Sequence, residues 1–501
     1  MINEIVFLFT AFIAGSIFTG ASSLGKFSIP ALGFIIGCAL QIIIGTILAF
    51  TGKPVSPILN ILLVLGFSIA WLFYKKKTTF LKDIRLSKIL LYIALPFSII
   101  TIFTIYFFNE GWARYSGDSW GILRTLQDIA QNGALYISPL DITTRLFGSI
   151  LLHLPATVAG EFYMRAVLPL LGISIIFALM WFVYIGCGRA LQAKKTILLV
   201  IMAGLLLLSN NSFIFHSLYI HTHLICAAMA LLITGCGWLM VRDKPENRNG
   251  YLAIIVIAIP AFILTRTESV MIASMAIIPM IAVKDVISIK QKRIILLSFG
   301  LSTLLCYGYI IIAYGSRLYT DPDMLGMGGL TPIAYSIFGL IIICLALFLR
   351  QLCKLKIVNI LMSKAVVIVE CFLWISLLIL YIVIPGIIVD NLRSIYRNFV
   401  LGLGAWGWSV IVLTVMVLLV LIYVRIPKSF SILRFPVTTF MPIMLITAPL
   451  AGGYHRPGPG GSLNRMFIQI VPLVILFIVM SIALGEFRFV KRKDPNEDIT
   501  I

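Results

Sequence analysis

Apolar stretches of about twenty residues recur along almost the whole chain, and that one property decides the fold class. Each is long enough to cross a hydrocarbon core of about 30 Å as a helix. Inside lipid the backbone must satisfy its own N–H and C=O groups, which leaves only helices or a closed barrel. Barrel strands alternate polar and apolar residues with period two. Runs such as Ile89–Phe108 and Val410–Tyr423 are predominantly apolar through consecutive positions instead. The chain is therefore predicted to be an all-α, polytopic transmembrane bundle. With 60% hydrophobic and 12% charged residues, no stretch of soluble composition is long enough to form a separate domain.

The runs place helices at roughly 4–20, 30–50, 55–74, 89–108, 166–186, 196–213, 224–241, 251–265, 269–283, 294–313, 333–349, 365–389, 405–424, 436–450 and 466–485, about fifteen in all. Those in 251–283 are short enough to be broken or re-entrant. Residues 1–88 read as additional N-terminal helices, 89–485 as the core and 486–501 as a basic tail. Met1-Ile-Asn-Glu4 lacks a basic leader, so the first run is expected to be a retained helix.

Basic clusters fall on alternate loops: Lys75 to Lys88, Arg189 to Lys195, Arg242 to Arg248, Lys284 to Arg293, Arg350 to Lys364, Arg425 to Arg434 and Arg488 to Lys493. All can lie in the cytoplasm without skipping a helix. This predicts a multi-pass protein of the bacterial inner membrane with its N-terminus outside and C-terminus inside. The formal charge of +20 is then explained by loops facing anionic lipid, not by nucleic acid. All eight cysteines lie in apolar runs or near the basic ends, with no CxxC spacing, so neither a disulfide framework nor a cysteine metal site is expected.

The opposite loops cover about 109–165, 214–223, 266–268, 314–332, 390–404 and 451–465. Their cations are all arginine except Lys53. A guanidinium grips phosphate in a bidentate way, so Arg266, Arg393, Arg397, Arg456 and Arg465 are candidate ligands of an external, phosphate-bearing substrate. Ordinary ion pairing with Glu110, Asp128, Glu161 and Asp390 is the alternative.

The longest external loop, 109–165, holds the sharpest candidate. Ser116-Gly117-Asp118-Ser119-Trp120 opens a segment in which Trp120, Leu123, Leu126-Gln127 and Ala130 recur at helical spacing, ending at Asn132-Gly133. An amphipathic surface helix is predicted there, with its aromatics in the interface. Asp118 is either its N-cap or a general base that takes a proton from an incoming hydroxyl. Arg124 lies on the same segment.

Four other segments and one further residue stand out. Thr265-Arg266-Thr267-Glu268 sits between two short apolar runs, where an arginine and an acid must pair or bind ligand. Asn464-Arg465 opens the last helix ahead of Pro472. Before it, Gly452 to Gly461 carries His455 and Arg456 in a glycine- and proline-rich stretch that reads as a flap, a backbone cradle or a plain loop. His221-Thr222-His223 offers two histidines one residue apart, for hydrogen bonding or, with Asp118, for a metal. Glu370 lies within a predicted helix near its basic end, where it is a functional candidate or a partner of Lys364.

Three of these segments resemble signatures of the GT-C glycosyltransferases, the polyprenyl-phosphate-sugar-dependent membrane enzymes. They are Asp118 to Gly133, Thr265 to Glu268, and Asn464-Arg465-Met-Phe-Ile-Gln-Ile-Val-Pro472-Leu473. The resemblance implies transfer of a sugar from polyprenyl phosphate to a glycan, lipid or protein acceptor at the external face. It implies Asp118 as base, the arginines and His455 at the donor phosphate, and Glu268, Trp120, Arg124, His221 and His223 at the substrates. Ser119 replaces the second acid common in the family, which leaves the use of a divalent metal open. No Walker, GxGxxG or HExxH motif is present. A lipid-linked oligosaccharide polymerase or ligase, and a transporter or flippase of an anionic lipid-linked substrate, are the alternative readings.

Overall fold

The computed structural model describes residues 2–25, 27–75, 117–132, 146–188, 190–284, 286–314, 330–404, 406–447 and 462–488. Among these the architecture is helical throughout, apart from one two-residue strand pair. Among the described residues nine helices are long and apolar enough to cross a membrane, or ten if one bent pair counts as a span. The chain is an all-α, multi-pass membrane protein. The predicted helix at 89–108 lies outside the described residues.

Helices α1 (Ile2–Ala21) and α2 (Ser28–Ala49) form a tight hairpin, and α3 (Pro57–Tyr74) packs on both. Ala11 and Gly15 of α1 meet Gly33 and Gly37 of α2, each pair spaced by four. A methyl group at Gly15 or Gly37 would overlap the partner backbone, so small residues set this crossing. Ser56 caps α3 by accepting from Leu59 N (3.3 Å), and Pro57 takes the first position, where its missing N–H costs nothing.

The segment predicted as a single surface loop divides into two kinds of structure. Helix α4 (Gly117–Asn132) is amphipathic as expected. Its buried stripe is Ser119, Ile122, Thr125, Leu126 and Ile129, one position away from the predicted stripe, so Trp120 points outward and Leu123 is half-buried. The surface expectation fails for α5 (Phe147–Leu151), which is buried throughout, while the one-turn α6 (Ala156–Ala159) buries Ala156 and Ala159 and leaves Val158 exposed. Leu146-Phe-Gly-Ser-Ile-Leu-Leu-His-Leu154 is apolar on nearly every side, and such a segment has no face to offer water.

The core gathers around α7 (Glu161–Cys187) and α10 (His223–Arg242). Between them run α8 (Ala193–Leu208) and α9 (Asn211–Ser217), predicted as one helix but bent by 73°. Asn210 causes the break: its side chain accepts from Phe213 N (2.9 Å) and restarts the helix in a new direction. Next come α11 (Arg248–Ile263), α12 (Ser269–Ala282), α13 (Ile289–Tyr314), α14 (Leu330–Leu352) and α15 (Lys356–Val383). The predicted helix 365–389 stops at Val383. Pro385, which lacks an N–H, opens a separate helix α16 (Pro385–Ile395), followed by a π-turn at Tyr396–Val400. Helices α17 (Ser409–Tyr423), α18 (Ser431–Thr447), α19 (Ser462–Phe467) and α20 (Val471–Leu484) complete the bundle. Strands β1 (Val424–Arg425) and β2 (Glu486–Phe487) pair antiparallel and tie the ends of α17 and α20.

Residues expected to be an N-terminal addition share this core. Helix α2 packs on α5, α7 and α11, its Gln41 amide donates to Leu152 O (3.0 Å), and Tyr163 OH donates to Gln41 Oε1 (3.3 Å).

Candidate functional site

The turn between α11 and α12 positions the first pair of charges. Thr265, Arg266, Thr267 and Glu268 are all buried. Thr265 Oγ1 donates back to Ala261 O (2.6 Å), closing α11. Two backbone bonds from the start of α5, Leu146 N to Thr265 O (3.0 Å) and Gly148 N to Leu264 O (2.7 Å), hold the turn from one side. Gly148 is required there because a Cβ would press on the Leu264 carbonyl. Tyr307 OH donates to Thr267 O (3.2 Å) from another side. Within the turn Arg266 Nε pairs with Glu268 Oε1, and Arg266 Nη1 donates to Thr222 Oγ1 (2.8 Å). The local ion pair considered from sequence is present, and it also reaches outside the turn.

The chain from α9 into α10 supplies the second part. Phe215, Tyr219, His221 and His223 form a stack of near-parallel rings. The interplanar angles along it are 23°, 9° and 15°, and the final step, His221 to His223, is 4.6 Å between centroids. Tyr219, His221 and His223 alternate along an irregular segment, so their rings share a side. His216, on the last turn of α9, stands edge-on to His223 at 6.1 Å. The bend at Asn210 is what turns His216 towards this stack.

The third part comes from the approach to α20. Pro472 lacks the N–H that would continue α19 into α20, and the chain turns at 468–470. Arg465 and Gln469, four residues apart, still reach the same place. Arg465 Nη1 donates to His221 Nε2 (2.6 Å). The Gln469 amide donates to Glu268 Oε1 (3.2 Å) and to His223 Nδ1 (3.0 Å). A closed circuit results: Arg465 to His221, across the ring stack to His223, through Gln469 to Glu268 and Arg266, and back to Thr222 between the histidines.

Arg266, Glu268, His221, His223 and Arg465 are thus brought together from three distant segments. Helix α4 abuts them, since Ser119 Oγ donates to Ile220 O (3.1 Å). Asp118 precedes Ser119 on that helix; its side chain lies outside the described residues, as do His455 and Arg456. Trp120 and Arg124 are on the exposed side of α4. Arg393 is not in the circuit: it pairs with Asp390 (3.2 Å) one turn away at the exposed surface of α16. Arg397 is also exposed, although its neighbour Phe399 packs on Phe467, two residues from Arg465.

The proposed metal role of the two histidines finds no support in their geometry. Their rings face each other, and Arg465 and Gln469 each take one ring nitrogen. Among the described residues no three side chains of His, Cys, Asp or Glu converge to hold an ion. All eight cysteines are free. Glu370 pairs with Arg434 (2.6 Å) on α18, not with Lys364, and so clips α15 to α18.

Gln469 of the circuit and His216 beside it were not singled out from sequence. Gln469 lies inside the motif of the last helix, and its four-residue spacing from Arg465 was the available signal. His216 was legible as one of three histidines among five that fall within 216–223. No family model matches the chain, and no curated protein or solved structure matches it.

Proposed function

We propose that this protein is an integral membrane glycosyltransferase of the GT-C type, taking its sugar from a polyprenyl-phosphate donor. The observation that carries this reading is the buried circuit itself. Two of the three segments matching the family signatures, Thr265–Glu268 and Asn464–Leu473, meet in it, and α4, which bears the third, touches its edge through Ser119. In this reading the bundle has about fifteen spans, with its N-terminus and the circuit on the external side of a bacterial inner membrane.

Asp118 takes the proton from an acceptor hydroxyl or amine as that group attacks the anomeric carbon. The bond from that carbon to the phosphate oxygen breaks in the same displacement, inverting the centre and releasing polyprenyl phosphate. Arg465 and Arg266 stabilise the charge growing on the phosphate. Glu268 holds Arg266 in position, so the guanidinium needs no reorganisation when that charge appears.

The test incubates purified protein with labelled polyprenyl-phosphate sugars and measures release of polyprenyl phosphate. Asp118→Asn is expected to lower turnover by about 100-fold or more while donor binding is retained. Near-normal turnover in that variant removes Asp118 as the base and favours an oligosaccharide polymerase or ligase. Movement of intact lipid-linked sugar across a vesicle bilayer, with no phosphate released, favours a flippase.

A further inference from the structure

We infer that His216, His223 and Gln469 form a neutral subsite for the hydroxyl groups of a sugar, separate from the guanidiniums that would take the phosphate. This deepens the donor reading above and rests on it.

All three side chains are essentially fully buried. Among the described residues, both ring nitrogens of His216, Nε2 of His223 and Oε1 of Gln469 have no hydrogen-bond partner. Leaving such groups unpaired costs about 1–3 kcal/mol each, so four together call for a ligand.

Their polarity follows from their neighbours. The Gln469 amide must turn its NH₂ towards Glu268, because its oxygen would repel the carboxylate. Oε1 is therefore an acceptor waiting for a donor. The same NH₂ donates to His223 Nδ1, so the proton of neutral His223 sits on Nε2, a donor waiting for an acceptor. Neutral His216 adds one donor and one acceptor. The subsite thus offers two donors and two acceptors.

A phosphate presents only acceptors and would leave two of the four groups facing a negative oxygen. An ammonium presents only donors and fails in the opposite way. Hydroxyl groups both give and accept, and two of them satisfy the set.

The experiment measures binding in lipid nanodiscs of a bare polyprenyl phosphate. It also measures the same lipid carrying mannose, glucose, N-acetylglucosamine or aminoarabinose. Wild type is expected to bind at least one glycosylated lipid about tenfold more tightly than the bare one. His216→Phe, which removes both ring nitrogens outside the circuit, is expected to lose that preference while binding bare lipid within about twofold of wild type; Gln469→Met, which also takes a donor from Glu268, is expected to lose the preference as well. His216→Asn, which keeps a donor and an acceptor, is expected to recover part of it.

Retained bare-lipid binding shows in the same assay that the variants are folded. If wild type shows the preference and both variants keep it, the subsite is overturned and the donor reading stands. If the variants weaken both ligands equally, the three side chains are structural and the subsite is again overturned. If wild type binds neither lipid, the donor reading itself fails.

Discussion

Two arginine–glutamate pairs stand within the apolar bundle, and they are built on different plans. Arg266 and Glu268 lie two residues apart in one turn. Their neighbours Thr222 and Gln469 lead on to both histidines, and part of that neighbourhood has polar atoms with no partner among the described residues. Arg434 and Glu370 lie on separate helices, joined to each other by a single bond of 2.6 Å and partly open to the surroundings. The second pair does what a buried ion pair does when it only fastens: it neutralises two charges and joins α15 to α18. The first joins helices that their backbones already hold, and its further bonds orient groups towards a common place. An ion pair in a membrane protein thus marks a site by the company it keeps, more than by its own charge.

The comparison can be broken by removing one partner at a time. The largest effect is expected for Glu268→Gln, which leaves Arg266 buried beside a neutral amide. A loss of about 3–5 kcal/mol in unfolding free energy is expected, with turnover abolished, as measured by denaturation in detergent and by lipid-phosphate release. Glu370→Gln is expected to cost less, about 1 kcal/mol, because the partly exposed Arg434 can relax towards the headgroups. Joint replacement by Glu370→Leu and Arg434→Leu should return stability close to wild type, with turnover within about twofold. A large loss of turnover in the joint variant would erase the distinction between the pairs. The smallest effect is expected at Arg393→Ala, where an exposed pair contributes little; donor affinity should stay within about twofold. A tenfold loss there would bring Arg393 back as a phosphate ligand.

Much of the fold was legible because lipid imposes a strict rule on the backbone. Within the described residues the apolar runs predicted to be helices are helical, with shifted ends and with breaks inside three of them, near Asn210, at Ile384 and at 468–470. The errors fall where a polar or cyclic side chain acts locally. Asn210 turns one expected helix into a bent pair, and Pro385 divides another. The site was legible in part. Arg266, Glu268, Arg465 and the two histidines could be named because charged or polar groups among apolar runs are conspicuous. Their shared position could not be read, since it depends on contacts between residues up to 246 apart in the chain. The burial of α5 was not expected: a loop between helices is expected at the surface, and only packing reveals that this stretch folds inward.

The closeness of α1 and α2 has a mechanical consequence. Where the two backbones touch at Gly15, Gly33 and Gly37, one cannot slide along the other without driving a carbonyl into its neighbour. The hairpin therefore behaves as one rod. That rod is pinned through Gln41 to Leu152, and the stretch containing Leu152 begins with the backbone bonds that clasp the turn of Arg266. A push from the surrounding lipid on the first helix, such as a change in bilayer thickness, has a two-joint linkage to the guanidinium at the centre of the protein.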